Sequence, residues 1–350
     1  MSYVKRYPFK HCAVLITLFF FTSYCRADEP LPDIDSDLPE AKEVENDLVW
    51  GVETSYRTEH LYPSNWGQAG IFRIRSAESL PPGALTFGIG GEFYAISDAP
   101  DLGYGNTRAR TIAESLFVGY SPLERLTLAI MRRNSSTTFG NPQQLISSLG
   151  DMNFSGMYSF PLTPSTAIAP IINVLVASNF NNLAPGGNTV SIGTGIALSH
   201  SLYHSLNVPL FLHANLIYHI PQIRTEISPV VEPETFFSFS RYHTVTLGLG
   251  AEYKLGDFIP FMELSSTVHT NSALNLGRSP ATLSVGSRIT PIANKSLAVL
   301  LGVDIGLSRK MVPGVPFTPG YQILGQISYT VALTSTERKH YFTTKDVNIV

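Results

Sequence analysis

From Ala84 onward the sequence repeats one pattern: stretches of about ten to thirteen residues with apolar side chains at every second position, each closed by Gly, Pro, Asn, Asp or Ser. Period two is the mark of a β-strand whose two faces meet different surroundings. About twelve such stretches run from 84–96 to 321–333. Their length decides between two architectures that share the alternation. Strands of a soluble sandwich run about five or six residues, whereas a tilted strand that crosses a bilayer needs about 9 to 11. The pattern predicts an all-β fold, a transmembrane antiparallel up-and-down β-barrel.

The connections alternate in length, as bacterial barrels require: short turns on the periplasmic side and long loops outside. Short ones fall at 121–124, 163–164, 200–207, 256–257 and 292–296, and long ones at 97–107, 135–150, 179–188, 221–242, 270–280 and 309–320. With an even strand count, both termini are expected in the periplasm. Within single strands, Leu247, Leu249, Ala251 and Tyr253 share one face, and so do Leu297, Val299, Leu301, Val303 and Ile305. These faces are assigned to lipid, and the alternate positions, among them Gly248, Gly250 and Glu252, to the lumen.

The N-terminus carries Lys5, Arg6 and Lys10, an apolar run from Ala13 to Phe21, and then Cys25-Arg26-Ala27, the order of a cleaved secretion signal. That run is shorter than the roughly 20 residues of a membrane helix. Residues 1–27 are therefore read as a signal peptide that removes both cysteines, Cys12 and Cys25, and with them disulfide and thiol chemistry. The leader holds four of the 24 lysines and arginines and none of the 27 acids, so the mature chain carries a net charge of −7 and nucleic acid is not an expected partner. Charged residues make up only 15% of the chain against about 25% in soluble proteins, which agrees with a lipid-facing exterior.

Residues 28–69 begin with nine acids up to Asp47 against the single Lys42, interrupted by Pro30, Pro32 and Pro39. Such a segment is expected to be largely disordered. Before Pro81-Pro82-Gly83, the run Ile71-Phe72-Arg73-Ile74-Arg75 suits either a short periplasmic strand or a plug for the barrel. The barrel is placed at 70–333 and a periplasmic tail at 334–350. Expected partners are outer-membrane lipid, the barrel assembly machinery during biogenesis, and an envelope protein reached through the N-terminal segment, loop 221–242 or the tail.

The stretch from Gly70 to Gly83, followed by Leu85-Thr86-Phe87-Gly88, Leu149-Gly150-Asp151-Met152-Asn153-Phe154, Gly302-Val303-Asp304-Ile305-Gly306-Leu307 and Pro319-Gly320-Tyr321, resembles the barrel region of OmpA-like outer-membrane proteins. The resemblance spans about residues 70 to 333 and implies a barrel scaffold in the bacterial outer membrane. Members often continue into a peptidoglycan-binding domain. Only 17 residues follow Leu333 here, too few for one.

His269-Thr270-Asn271-Ser272 followed by Gly277-Arg278-Ser279 is the nearest text to an outer-membrane phospholipase site, but residues three apart on a strand point to opposite faces. His200 and His204 are four apart where the pattern is a strand entering a turn, and no third ligand accompanies them. No cofactor or metal site is expected. The runs Gly88-Ile89-Gly90-Gly91 and Gly248-Leu249-Gly250 open no helix, so they are read as close packing inside a barrel.

The candidate functional residues are the charges assigned to the lumen: Glu92, Glu252, Glu263, Arg288 and Asp304. Lining a pore, they would set its ion preference; in a filled lumen, Arg288 would instead neutralise the carboxylates around it. The sequence thus describes a non-enzymatic barrel, a narrow passive pore for ions or small solutes. The alternatives are a non-conducting structural or interaction scaffold of the envelope and, more distantly, an outer-membrane hydrolase.

Overall fold

The computed structural model describes residues 61–99, 107–139, 144–176, 190–222, 243–270, 279–291, 296–308 and 318–333. The proposed signal peptide, the acidic run, most of the long loops and the tail lie outside them. Thirteen strand segments follow in chain order: β1 Ala84–Ala99, β2 Thr107–Leu123, β3 Leu126–Phe139, β4 Gln144–Tyr158, β5 Phe160–Thr163, β6 Thr166–Val176, β7 Val190–Ser201, β8 Leu210–Gln222, β9 Thr244–Tyr253, β10 Phe258–His269, β11 Ala281–Ile289, β12 Leu297–Gly306 and β13 Tyr321–Ala332. β4 and β5 are two parts of one barrel strand interrupted at Ser159, because both pair with β6. Twelve strands therefore close the ring, with β1 hydrogen-bonded to β13. Every pairing is antiparallel between neighbours in sequence, apart from that closure. The expected up-and-down barrel is the observed fold.

Alternation sorts the side chains as the pattern predicts. Leu249 is 58% exposed and Ile323 54%, while Glu252 and Asp304 are 5% and 2% exposed. The outer wall is a belt of exposed leucine, isoleucine, valine, phenylalanine and tyrosine, a surface that only hydrocarbon solvates well. Strand bounds agree with the sequence reading except around 135–150, which it treats as a loop. There β3 continues to Phe139 and β4 begins at Gln144, with Ser136 facing Ser147 and Thr137 facing Ile146. Ser135-Ser136-Thr137-Thr138 is polar on both faces, so no alternation marks it as strand.

Between β7 and β8 a one-turn helix, α1 (Tyr203–Leu206), fills the short connection. It ends on Asn207 in the left-handed region at φ 53°, a position that asparagine tolerates better than most residues. His204 sits in this helix, while the His200 Nδ1 lies 2.9 Å from the Thr166 hydroxyl. Among the described residues no three histidines, cysteines or acids gather as metal ligands.

Residues 61–83 are inside the barrel. They include positions 61–69, which the sequence reading assigns to the acidic segment. Ala69, Ile71 and Phe72 have no exposed surface. The segment is a hairpin: Gly70 bridges Arg75, the Ser76 N–H donates to the Ala69 carbonyl at 2.8 Å, and the Ile71 N–H donates to the Ile74 carbonyl at 2.9 Å. Its tip is Phe72-Arg73.

Candidate functional site

Both ends of the hairpin lie at the barrel mouth that carries the short connections. Tyr62 packs on Ile259 and Ala298 near one side of that mouth. Across it, Leu80 packs on Ala69 and Ala84, and the Ser79 hydroxyl donates to the Glu124 carbonyl in the β2–β3 turn. The tip reaches mid-barrel, where Phe72 joins Phe261, Leu300 and Leu324 in an apolar cluster. The plug, one of the two forms open to this segment from its sequence, is the form it takes.

All five charges assigned to the lumen point inward, and each belongs to the network that holds this hairpin. Glu263 on β10 is buried, and its carboxylate accepts three successive backbone N–H groups: Phe72 at 2.8 Å, Arg73 at 3.1 Å and Ile74 at 3.0 Å. Arg288 on β11 answers from the other side of the turn, donating through Nη2 to the carbonyls of Gly70 at 2.9 Å and Ile71 at 2.7 Å. One acid and one base thereby cap the donors and acceptors that the tight turn leaves without partners. The Arg288 Nη1 also lies 3.3 Å from the Glu252 carboxylate, and the guanidinium sits 5.1 Å from the Tyr62 ring centroid.

Asp304 and Glu92 hold the side chain at the tip. The Arg73 guanidinium makes a two-pronged contact with Asp304, at 2.9 and 2.6 Å, and is 3.6 Å from Glu92. Glu92 is shared with Arg133 of β3 at 2.9 Å. Fork-to-carboxylate pairs of this kind fix orientation as well as charge.

The opposite wall binds the hairpin with neutral groups. Asn215 of β8 accepts the Arg75 N–H and donates to the Arg75 carbonyl, both at 2.8 Å, as a neighbouring strand would. Ser199 of β7 accepts the Ala77 N–H at 2.7 Å, and Asn173 of β6 accepts from the Arg75 guanidinium at 2.9 Å. Arg75 is 1% exposed, rests over the Trp66 ring at 4.8 Å, and has no carboxylate partner among the described residues. Asn215, Ser199, Asn173 and Arg133 carry no sequence signal that separates them from any polar inward residue. The register that brings them to the hairpin exists only in the closed barrel.

Inward glycines make room for the insert. A Cβ at Gly119 would collide with the Gly67 carbonyl oxygen, and one at Gly250 would stand 2.7 Å from the Ile71 Cδ1. Close packing, the reading given to the Gly248-Leu249-Gly250 run, here means packing against the hairpin.

Ser199, His213 and Glu252 form a chain that resembles a nucleophile, base and acid: Ser199 Oγ is 2.8 Å from His213 Nδ1, and His213 Nε2 is 3.6 Å from Glu252. It is not arranged for hydrolysis. The serine hydroxyl is occupied by the Ala77 N–H and the Ser76 hydroxyl, it is 2% exposed, and the hairpin covers it. Of the phospholipase-like text, His269 is buried at the end of β10, and Ser272 lies outside the described residues.

These features define a class: a membrane β-barrel with an apolar belt, a polar interior and an internal N-terminal plug. No family model and no curated protein matches the chain. Solved structures do. The COG4313 outer membrane channel from Pseudomonas putida F1 is similar at 14% identity, over 73% of this chain and 98% of that one, with a TM-score of 0.51. The NanC porin matches at 11% identity over 71% of this chain and all of that one, TM-score 0.43, and the CymD monoaromatic hydrocarbon channel at 12% over 79% and 98%, TM-score 0.41. The likeness shows the fold, that of outer-membrane barrels in general. It does not single out the OmpA-like barrels that the sequence motifs resemble.

Proposed function

We propose that this chain is a narrow outer-membrane channel for ions or small solutes, with its N-terminal hairpin standing in the lumen and both termini in the periplasm. The observation that carries the reading is the interior chemistry beyond the hairpin tip. Toward the long-connection mouth the inward positions include Thr111, Thr137, Asn153 and Thr244, polar side chains with little exposed surface, two of which, Thr111 and Thr137, hydrogen-bond each other at 2.8 Å. An interior of hydroxyls and amides wets readily, as a channel lumen does and as a core held together by apolar packing does not. The COG4313 protein, which shares the fold, is itself named a channel.

A second reading, a structural scaffold of the envelope, draws on how fully the hairpin is bound on the short-connection side. The occupied, covered Ser199 speaks against a hydrolase. Purified, folded full-length protein in a planar bilayer separates channel from scaffold. Discrete current steps in symmetrical salt are the expected result; a folded barrel that inserts and never passes current, whether its hairpin is seated or displaced, would contradict the channel reading.

A further inference from the structure

We propose that the hairpin of residues 61–82 is a releasable gate that closes this barrel by binding its lumen as a ligand and opens it by withdrawing through the short-connection mouth. The inference rests on the channel reading above and adds how that channel is regulated.

Topology permits the motion. The chain enters beside Tyr62 and returns through Leu80 to Gly83 at the same mouth, so the hairpin can leave without threading past any strand. A plug whose two ends left by opposite mouths would be trapped.

The mode of attachment suits reversible binding. Beside the apolar seat of Phe72, the tip is held by hydrogen bonds that water can replace: three N–H donors on Glu263, two carbonyls on Arg288, and the Arg73 side chain on Asp304. Arg75 adds a buried guanidinium without a counter-charge among the described residues, a group that regains hydration when the hairpin leaves. A permanent core would be expected to satisfy or replace it. The recess at Gly119 has no other evident purpose than to admit the Gly67 backbone.

Two full-length variants test the gate in opposite directions. The Ser76 and Ser199 hydroxyl oxygens are 3.1 Å apart, one on the hairpin and one on the wall, so Ser76→Cys with Ser199→Cys places two thiols in reach of a disulfide. The native cysteines, Cys12 and Cys25, both precede the described residues. Once mass spectrometry has shown the bond formed, current through the oxidised protein should fall about tenfold or more below that of the same protein after dithiothreitol. Gly119→Ala pushes the hairpin off its seat without altering a charge, and should raise the open fraction about tenfold or more over wild type.

Equal current from the oxidised and reduced cysteine pair would overturn the gate while leaving the channel standing. Silence from wild type, reduced pair and Gly119→Ala alike, with each shown to be folded and inserted, would overturn the channel reading and the gate with it. Should Gly119→Ala fail to fold, the cysteine pair alone decides.

Discussion

Glu263→Gln is expected to free the hairpin tip, so that trypsin cuts after Arg73 and Arg75 in a barrel that otherwise stays folded. The wild-type carboxylate accepts three consecutive N–H groups on Oε1, with Arg73 also reaching Oε2; the substitution removes the charge that strengthens all three and puts an amide nitrogen, which cannot accept, in place of Oε2. Hydrogen bonds to a charged acceptor contribute about 1.5–3 kcal/mol each. They act together here, so a net loss of about 3 kcal/mol, or about a hundredfold in the ratio of docked to undocked hairpin, is the expected scale. Cleavage should accelerate by that order while the strands keep their β-sheet signal in circular dichroism. An unchanged cleavage rate would show that Glu263 does not hold the tip.

Arg288→Met should be costlier to the whole protein. It leaves the Gly70 and Ile71 carbonyls without their donor and takes from the Glu252 carboxylate, 5% exposed, its guanidinium partner, leaving His213 at 3.6 Å. Removing one partner of a buried ion pair costs about 3–5 kcal/mol because the survivor stays charged in a poor solvent. Lower resistance to urea unfolding in detergent is the measurement. Glu252→Gln added to Arg288→Met should recover part of the loss, since it removes the stranded charge. Additive effects of the two substitutions would deny the coupling.

Much of this barrel is legible before any coordinates. Alternation over Leu247–Tyr253 and Leu297–Gly306 gives strand, face and membrane together, because lipid and lumen demand opposite chemistry at successive residues. Where the side chains on both faces are polar, as at Ser135 to Thr138, that demand lapses and the strand is not visible. The five inward charges were found for the same reason: an acid or a guanidinium on an otherwise apolar strand has only one side to face. Their function was not legible in that way. Glu263 and Arg288 are 25 positions apart in sequence and about 190 to 218 from the residues they hold, as the separations between hydrogen-bonded partners record. Only ring closure, which seats the N-terminal hairpin against β8, β10 and β11 at once, shows that these charges bind a peptide.

The central claim is that the lumen charges bind the protein's own N-terminal hairpin, and amide hydrogen exchange of the full-length barrel in detergent micelles tests it most directly. Peptides spanning residues 70–77 should exchange slowly, on the scale of the strands, because the N–H groups of Phe72, Ile74, Arg75 and Ala77 are buried on Glu263, Asn215 and Ser199. Exchange at the rate of a free peptide in those positions, with the strands themselves protected, would contradict the account.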